Sequence, residues 1–108
     1  MISTHVLDTA DGRPASDVHV TLHRRDGDGW ELLAEARTDD DGRVAELLAD
    51  GHVLAAGVHR LRFDTGAYLG GEGFYPEVAI VFSVRDASEH HHVPLLLSPY
   101  GYSTYRGT

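Results

Sequence analysis

Three consecutive histidines, His90-His91-His92, are the densest concentration of chemistry in the sequence. Imidazole is the side chain whose ordinary pKa lies nearest neutrality, so eight histidines in 108 residues are the first place to look for proton transfer or metal binding. On a strand, His90 and His92 share a face and His91 points the other way. Three readings fit that run. A zinc site needs three or four ligands converging at about 2 Å; two same-face histidines supply half of that, and no third partner is obvious nearby in sequence. A solvated cluster at a strand start needs no function at all. A neutral general base needs a pKa near the working pH, which histidine has with little tuning.

His5 sits in the alternation Ser3, His5, Leu7, where a lone histidine is usually structural. Arg43 follows a glycine after the acidic turn Asp39-Asp40-Asp41, and the ordinary role of such an arginine is a solvated charge paired with those carboxylates. No G-x-S-x-G, glycine-rich phosphate loop or paired-carboxylate motif is present. The C-terminal run Ser98-Pro99-Tyr100-Gly101-Tyr102-Ser103-Thr104-Tyr105-Arg106-Gly107-Thr108 carries three tyrosines, an arginine and the terminal carboxylate. Chain ends are commonly polar and frayed. An aromatic end with strand alternation suggests one tied into a sheet or a subunit interface.

The elements that must position these groups have period two. Val18, Val20 and Leu22 alternate with His19, Thr21 and His23, so Asp17–Arg25 reads as a half-buried strand. Asp26-Gly27-Asp28-Gly29 is a turn, and Trp30–Arg37 the returning strand. Further strands are expected over Ser3–Asp8, Arg43–Ala45, Val58–Asp64, Glu77–Arg85, His91–Leu97 and Tyr100–Tyr105. Seven or eight short strands at roughly ten-residue spacing predict an all-β antiparallel sandwich or barrel. Thr65–Gly73 has room for one short helix, weakened by its glycines. Ala45–Ala56 has helical composition, punctuated by Gly51 and Gly57.

Length and composition narrow the classes. At 108 residues the chain reads as one domain, 1–108. The absence of cysteine excludes disulfide scaffolds, thiolate metal sites and cysteine nucleophiles. All nine cations are arginine, which excludes lysine Schiff-base chemistry and a Walker lysine. A net charge of −8 argues against a nucleic-acid partner. The longest apolar runs, such as Ala79–Phe82, fall far below the ~20 residues that span a bilayer, and no basic flank or apolar leader opens the chain. The expectation is a cytoplasmic protein with neither a membrane nor a nucleic-acid partner.

Together these segments resemble the 5-hydroxyisourate hydrolases, the transthyretin-related enzymes of urate catabolism. The resemblance rests on His5-Val6-Leu7-Asp8, Gly12-Arg13-Pro14-Ala15, the strand Val18–Leu22, Thr38-Asp39-Asp40-Asp41-Gly42-Arg43 and Phe74-Tyr75-Pro76-Glu77. It closes on His92-Val93-Pro94-Leu95-Leu96-Leu97 and the tail through Thr108. It spans essentially the whole chain, and the tail is its most specific part, because the enzymes end in Tyr-Arg-Gly-Ser and transthyretin does not. Thr108 stands where the family has serine, which keeps the hydroxyl and adds a methyl.

The resemblance implies a transthyretin-like antiparallel sandwich of seven or eight strands with one short helix. It implies a homotetramer, a dimer of dimers with sites in a channel between dimers. Catalytic roles carry over to His5, Arg43 and His92. Substrate-binding roles carry over to His5, Arg43, Ser103, Tyr105, Arg106 and Thr108. No metal or cofactor is implied. The implied reaction opens the N1–C6 amide of 5-hydroxyisourate with water: His92, helped by His5, would take the proton, and Arg43 with Arg106 would hold the oxyanion. A general base of this kind contributes typically 10²–10⁴-fold, about 3–5 kcal/mol of barrier. The rival is a transthyretin-like carrier that binds a small ligand without turning it over. Such a carrier would want apolar groups at positions 5, 43 and 92.

Overall fold

The computed structural model describes residues 1–49 and 52–108. In chain order the strands are β1 (Ile2–Asp8), β2 (Arg13–Pro14), β3 (His19–Asp26), β4 (Gly29–Arg37), β5 (Arg43–Val44), β6 (Gly57–Phe63), β7 (Val78–Val84), β8 (His91–Ser98) and β9 (Gly101–Thr104). One short helix, α1 (Thr65–Tyr68), lies between β6 and β7, with the Asp64 carboxylate accepting from the Ala67 N–H at its start. Every expected strand forms, with ends within two residues of expectation. The two-residue β2 carries too little pattern to be read from sequence.

One sheet runs β2-β1-β8-β9, with β5 also on β1; the other runs β4-β3-β6-β7. The apolar members of each alternation meet between them. Ile2 and Val6 of β1, Leu95 and Leu97 of β8, Val20 and Leu22 of β3, and Leu61 and Phe63 of β6 are fully buried. The result is the expected all-β sandwich. Its pairings are antiparallel except one, β1 with β8, which runs parallel. No hairpin joins those two strands, because most of the chain separates them, so turn geometry does not dictate their direction.

Ala45–Ala56 forms no helix among its described residues; Gly51 lies outside the described residues. Tertiary burial overrides helical propensity here. Leu47, Leu48 and Leu54 are drawn into the core, and Leu47 donates its N–H to the Ile2 carbonyl at 2.9 Å. Among the described residues, no helix is long and apolar enough to cross a membrane.

Two histidines lie between the sheets with incomplete hydrogen bonding. His59 of β6 is fully buried; its Nδ1–H donates to the Gly57 carbonyl at 3.1 Å, and its Nε2 has no partner among the described residues. His91 of β8 is 5% exposed, and its Nδ1 has no partner among the described residues. Burial holds both below the ordinary histidine value, and nearby arginines add to it: Arg106 at His91 and Arg24 at His59. The folded protein therefore binds fewer protons than the unfolded chain once pH drops below the ordinary histidine value of about 6.5. Stability is full above that pH and declines as pH falls toward the depressed values, by up to about 1.4 kcal/mol per pH unit for each histidine. Urea midpoints at fixed protein concentration should fall between pH 7.5 and 5.5, and His59→Leu should flatten that slope. An unchanged slope in His59→Leu would mean this histidine is protonated inside the fold.

Candidate active site

Register brings the candidate residues to the outer face of the first sheet. Along β1, Ile2, Thr4 and Val6 turn inward, so Ser3 and His5 turn outward. The parallel ladder sets Ser3 opposite His92, and the β1–β5 ladder sets His5 opposite Arg43. Partners across a ladder project to the same face. Ser3, His5, Arg43 and His92 thus form one outward-facing group drawn from three strands.

Gly42 allows β5 to reach this position. It adopts φ 76°, and a Cβ there would lie 2.4 Å from the Val6 carbonyl oxygen, so only glycine fits. The Asp39 carboxylate braces the approach, accepting from the N–H groups of Asp41 and Arg43 at 2.9 Å each. That carboxylate serves the backbone and not the Arg43 side chain. Among the described residues no carboxylate lies within ion-pair distance of the Arg43 guanidinium, so the ordinary role of a charge paired with Asp39–Asp41 does not apply.

The two histidines are held differently. His5 Nε2 lies 2.8 Å from the Asp41 carbonyl. A carbonyl only accepts, so that nitrogen carries a proton, and in the neutral ring Nδ1 keeps the lone pair. His92 Nδ1 lies 2.7 Å from Ser3 Oγ, while its Nε2 has no hydrogen bond among the described residues. Gly107 closes over the ring: its N–H donates to the His92 carbonyl at 2.8 Å, and a Cβ at 107 would lie 2.5 Å from His92 Cδ2. Burial, then the Arg43 guanidinium, His90 and His5, hold His92 below the ordinary histidine value. His92 is therefore neutral at pH 7 and able to accept a proton.

His90 and His92 do share a face, with ring centroids 6.3 Å apart, and His91 turns into the core. A serine hydroxyl stands between the two rings. Among the described residues, no group of three or more histidine, aspartate or glutamate side chains gathers in a metal-binding arrangement.

A shallow cavity of about 330 Å³ opens against Ser3, Arg43, His90, His92 and Thr108. Thr108 thus joins the group, and His5 lies beside it on the same face. Three expected residues do not join it within one chain. Tyr105 and Arg106 border a different cavity, of about 240 Å³, with Phe82 and His91; His92 borders both. The Arg106 guanidinium lies 3.6 Å from the Glu89 carboxylate. Ser103 is on the outer face opposite Leu96. That is four residues along β8 from His92, or about 13 Å. Ser3 was not among the expected site residues. The alternation put it on the His5 face, but its place opposite His92 depends on the parallel pairing, which leaves no local signature.

Comparison with known proteins follows the same lines. A 5-hydroxyisourate hydrolase of Rhizobium meliloti is 46% identical over 114 residues, covering 99% of this chain and 95% of the relative. The solved structure of Klebsiella pneumoniae 5-hydroxyisourate hydrolase superposes with a TM-score of 0.84 at 38% identity, covering 99% of this chain and 98% of that one. Transthyretin from Sparus aurata superposes with a TM-score of 0.89 at 32% identity, covering 98% and 95%. The model of the HIUase/Transthyretin family matches residues 2–107, and with identity at this level along nearly its whole length the chain belongs to that family.

Proposed function

We propose that this chain, as one domain over residues 1–108, is a 5-hydroxyisourate hydrolase. It opens the N1–C6 amide of that oxidised purine with water to give 2-oxo-4-hydroxy-4-carboxy-5-ureidoimidazoline. The observation that carries the reading is the outward-facing group of His5, Arg43 and His92. The whole-chain likeness to relatives bearing that name supports it. His92 Nε2 takes a proton from water, and the resulting hydroxide attacks C6. Arg43 faces the oxyanion that forms on the carbonyl oxygen. Collapse breaks the C6–N1 bond, and the His92 imidazolium returns its proton to N1. His5, with Nδ1 free, accepts a second hydrogen bond from the water or the ring. The scheme uses no metal or cofactor.

Superposition on transthyretin is at least as close as on the hydrolase, so the fold alone suits a carrier equally well. The polar, cationic face does not suit an apolar ligand. The deciding experiment makes the substrate in the cuvette from urate and urate oxidase and follows its ultraviolet decay. Faster decay with micromolar protein is expected; identical decay curves would leave the carrier reading standing.

The same proposal includes a homotetramer, a dimer of dimers, in which Ser103, Tyr105 and Arg106 complete sites shared between copies. Two features support it. β7 and β9 end their sheets with unpaired edges. Phe74, Tyr75 and Tyr102 form an exposed edge-to-face aromatic cluster, with centroid separations of 4.9 and 5.3 Å. Sedimentation should give a tetramer at micromolar concentration; a stable, fully active monomer would overturn this assembly.

A further inference from the structure

Ser3 is the least exposed polar residue of the group, at 5%, and its hydroxyl lies 2.7 Å from two imidazole nitrogens, His90 Nε2 and His92 Nδ1. It has no other hydrogen-bond partner among the described residues. A buried hydroxyl uses its single proton, so Ser3 donates to one ring and accepts from the other. The ring that receives the proton presents a lone pair to Ser3; the ring that gives one carries N–H there. The two arrangements leave His92 in opposite tautomers.

The charge at the cavity favours one of them, and the surroundings of both rings allow it. Gly107 packs against Cδ2 and Ser3 occupies Nδ1, so Nε2 is the nitrogen left for the cavity. The Arg43 guanidinium borders the same cavity, and a cation favours a facing lone pair over a facing N–H. His90 is exposed, so water satisfies its other nitrogen in either tautomer. We propose that Ser3 is a positioning residue: its hydroxyl, bridging His90 Nε2 and His92 Nδ1, holds His92 in the Nδ1–H tautomer and turns Nε2 to the cavity as the base.

The catalytic consequence rests on the hydrolase reading; the tautomer does not. Hydroxyl and imidazole act in series. His92 donates Nδ1–H to Ser3, and Ser3 donates to His90. When Nε2 gains a proton, the imidazolium is still satisfied at Nδ1 by the same oxygen. His90 keeps the Ser3 proton turned away from His92.

The test has two arms, kinetics and ¹⁵N spectra of the histidine rings, on the wild type, Ser3→Ala, Ser3→Thr and His90→Ala. The wild-type spectrum should show His92 as the Nδ1–H tautomer at neutral pH. In Ser3→Ala and His90→Ala the Nε2–H tautomer should gain population. Loss of Ser3 should lower kcat about tenfold to a hundredfold, the span seen when a hydrogen-bond partner that orients a metal-bound histidine is removed, with KM changed less than about threefold. Ser3→Thr, which keeps the hydroxyl, should restore much of that loss. A merely structural serine would lower stability without moving the tautomer. A wild-type His92 in the Nε2–H form, or a Ser3→Ala protein with the tautomer and kcat both unchanged, would overturn the proposal. If the wild type shows no hydrolysis, the hydrolase reading fails, and the spectra alone decide the role of Ser3.

Discussion

His92→Ala should lower kcat by about 10²–10⁴ in a protein that still folds and assembles, the span expected for a lost general base. Its neighbour makes the contrast sharp. His91 lies on the opposite side of β8, 5% exposed, and takes part in the core. His91→Ala should therefore cost stability and change kcat less than tenfold. His90→Ala should fall between them. The pH profile carries the same assignment. As the proposed base His92 would react as the neutral imidazole, and burial with Arg43, His90 and His5 holds its titration below the ordinary value. Activity should be flat through neutrality and fall only as pH drops through that depressed value, below about 6.5. His91→Ala as damaging as His92→Ala, in a folded protein, would mean that the base is assigned to the wrong face of β8.

Which of these features could be read from the residues follows from how far each depends on distant pairing. Strict alternation at Val78, Ile80, Phe82 and Val84 marks a strand whatever surrounds it, and so does the separation of His91 from His90 and His92. Those features are local, and both appear as expected. The β1–β8 pairing is not local: nothing in Ser3–Asp8 or His91–Leu97 says that they run parallel, or that Ser3 falls opposite His92. The Ser3 bridge was therefore invisible. The helical composition of Ala45–Ala56 misled for the converse reason. Its leucines do pack inward, but from an irregular segment anchored to the start of β1, where Glu46 accepts from the Ile2 N–H at 2.9 Å. Tyr105 and Arg106 do share a cavity with His92 within one chain, but not the one that Arg43 and Thr108 border. Sequence proximity of a motif does not fix which side of the sheet, or which copy, its side chains serve.

Arg43→Ala should lower kcat/KM by about 10²–10³, the cost of removing one donor from a developing oxyanion. KM should rise and kcat fall together, because in the proposed role the guanidinium would meet the carbonyl in the ground state and the oxyanion in the transition state. The structure makes this arginine available. Its natural neutralisers are in the preceding turn, but the Asp39 carboxylate is occupied by the N–H groups of Asp41 and Arg43. The Asp41 carbonyl, in turn, orients His5. Arg43→Lys should recover only part of the loss, since an ammonium keeps the charge and gives up the planar fork. A second readout separates charge from shape. After burial, Arg43 is the foremost cause of the depressed His92 titration. Its removal should move the acid limb of kcat/KM to higher pH, and lysine should leave that limb near its original place even where turnover stays low. An Arg43→Ala protein with unchanged kcat/KM would remove Arg43 from the site, and an unmoved acid limb would mean its charge does not reach His92.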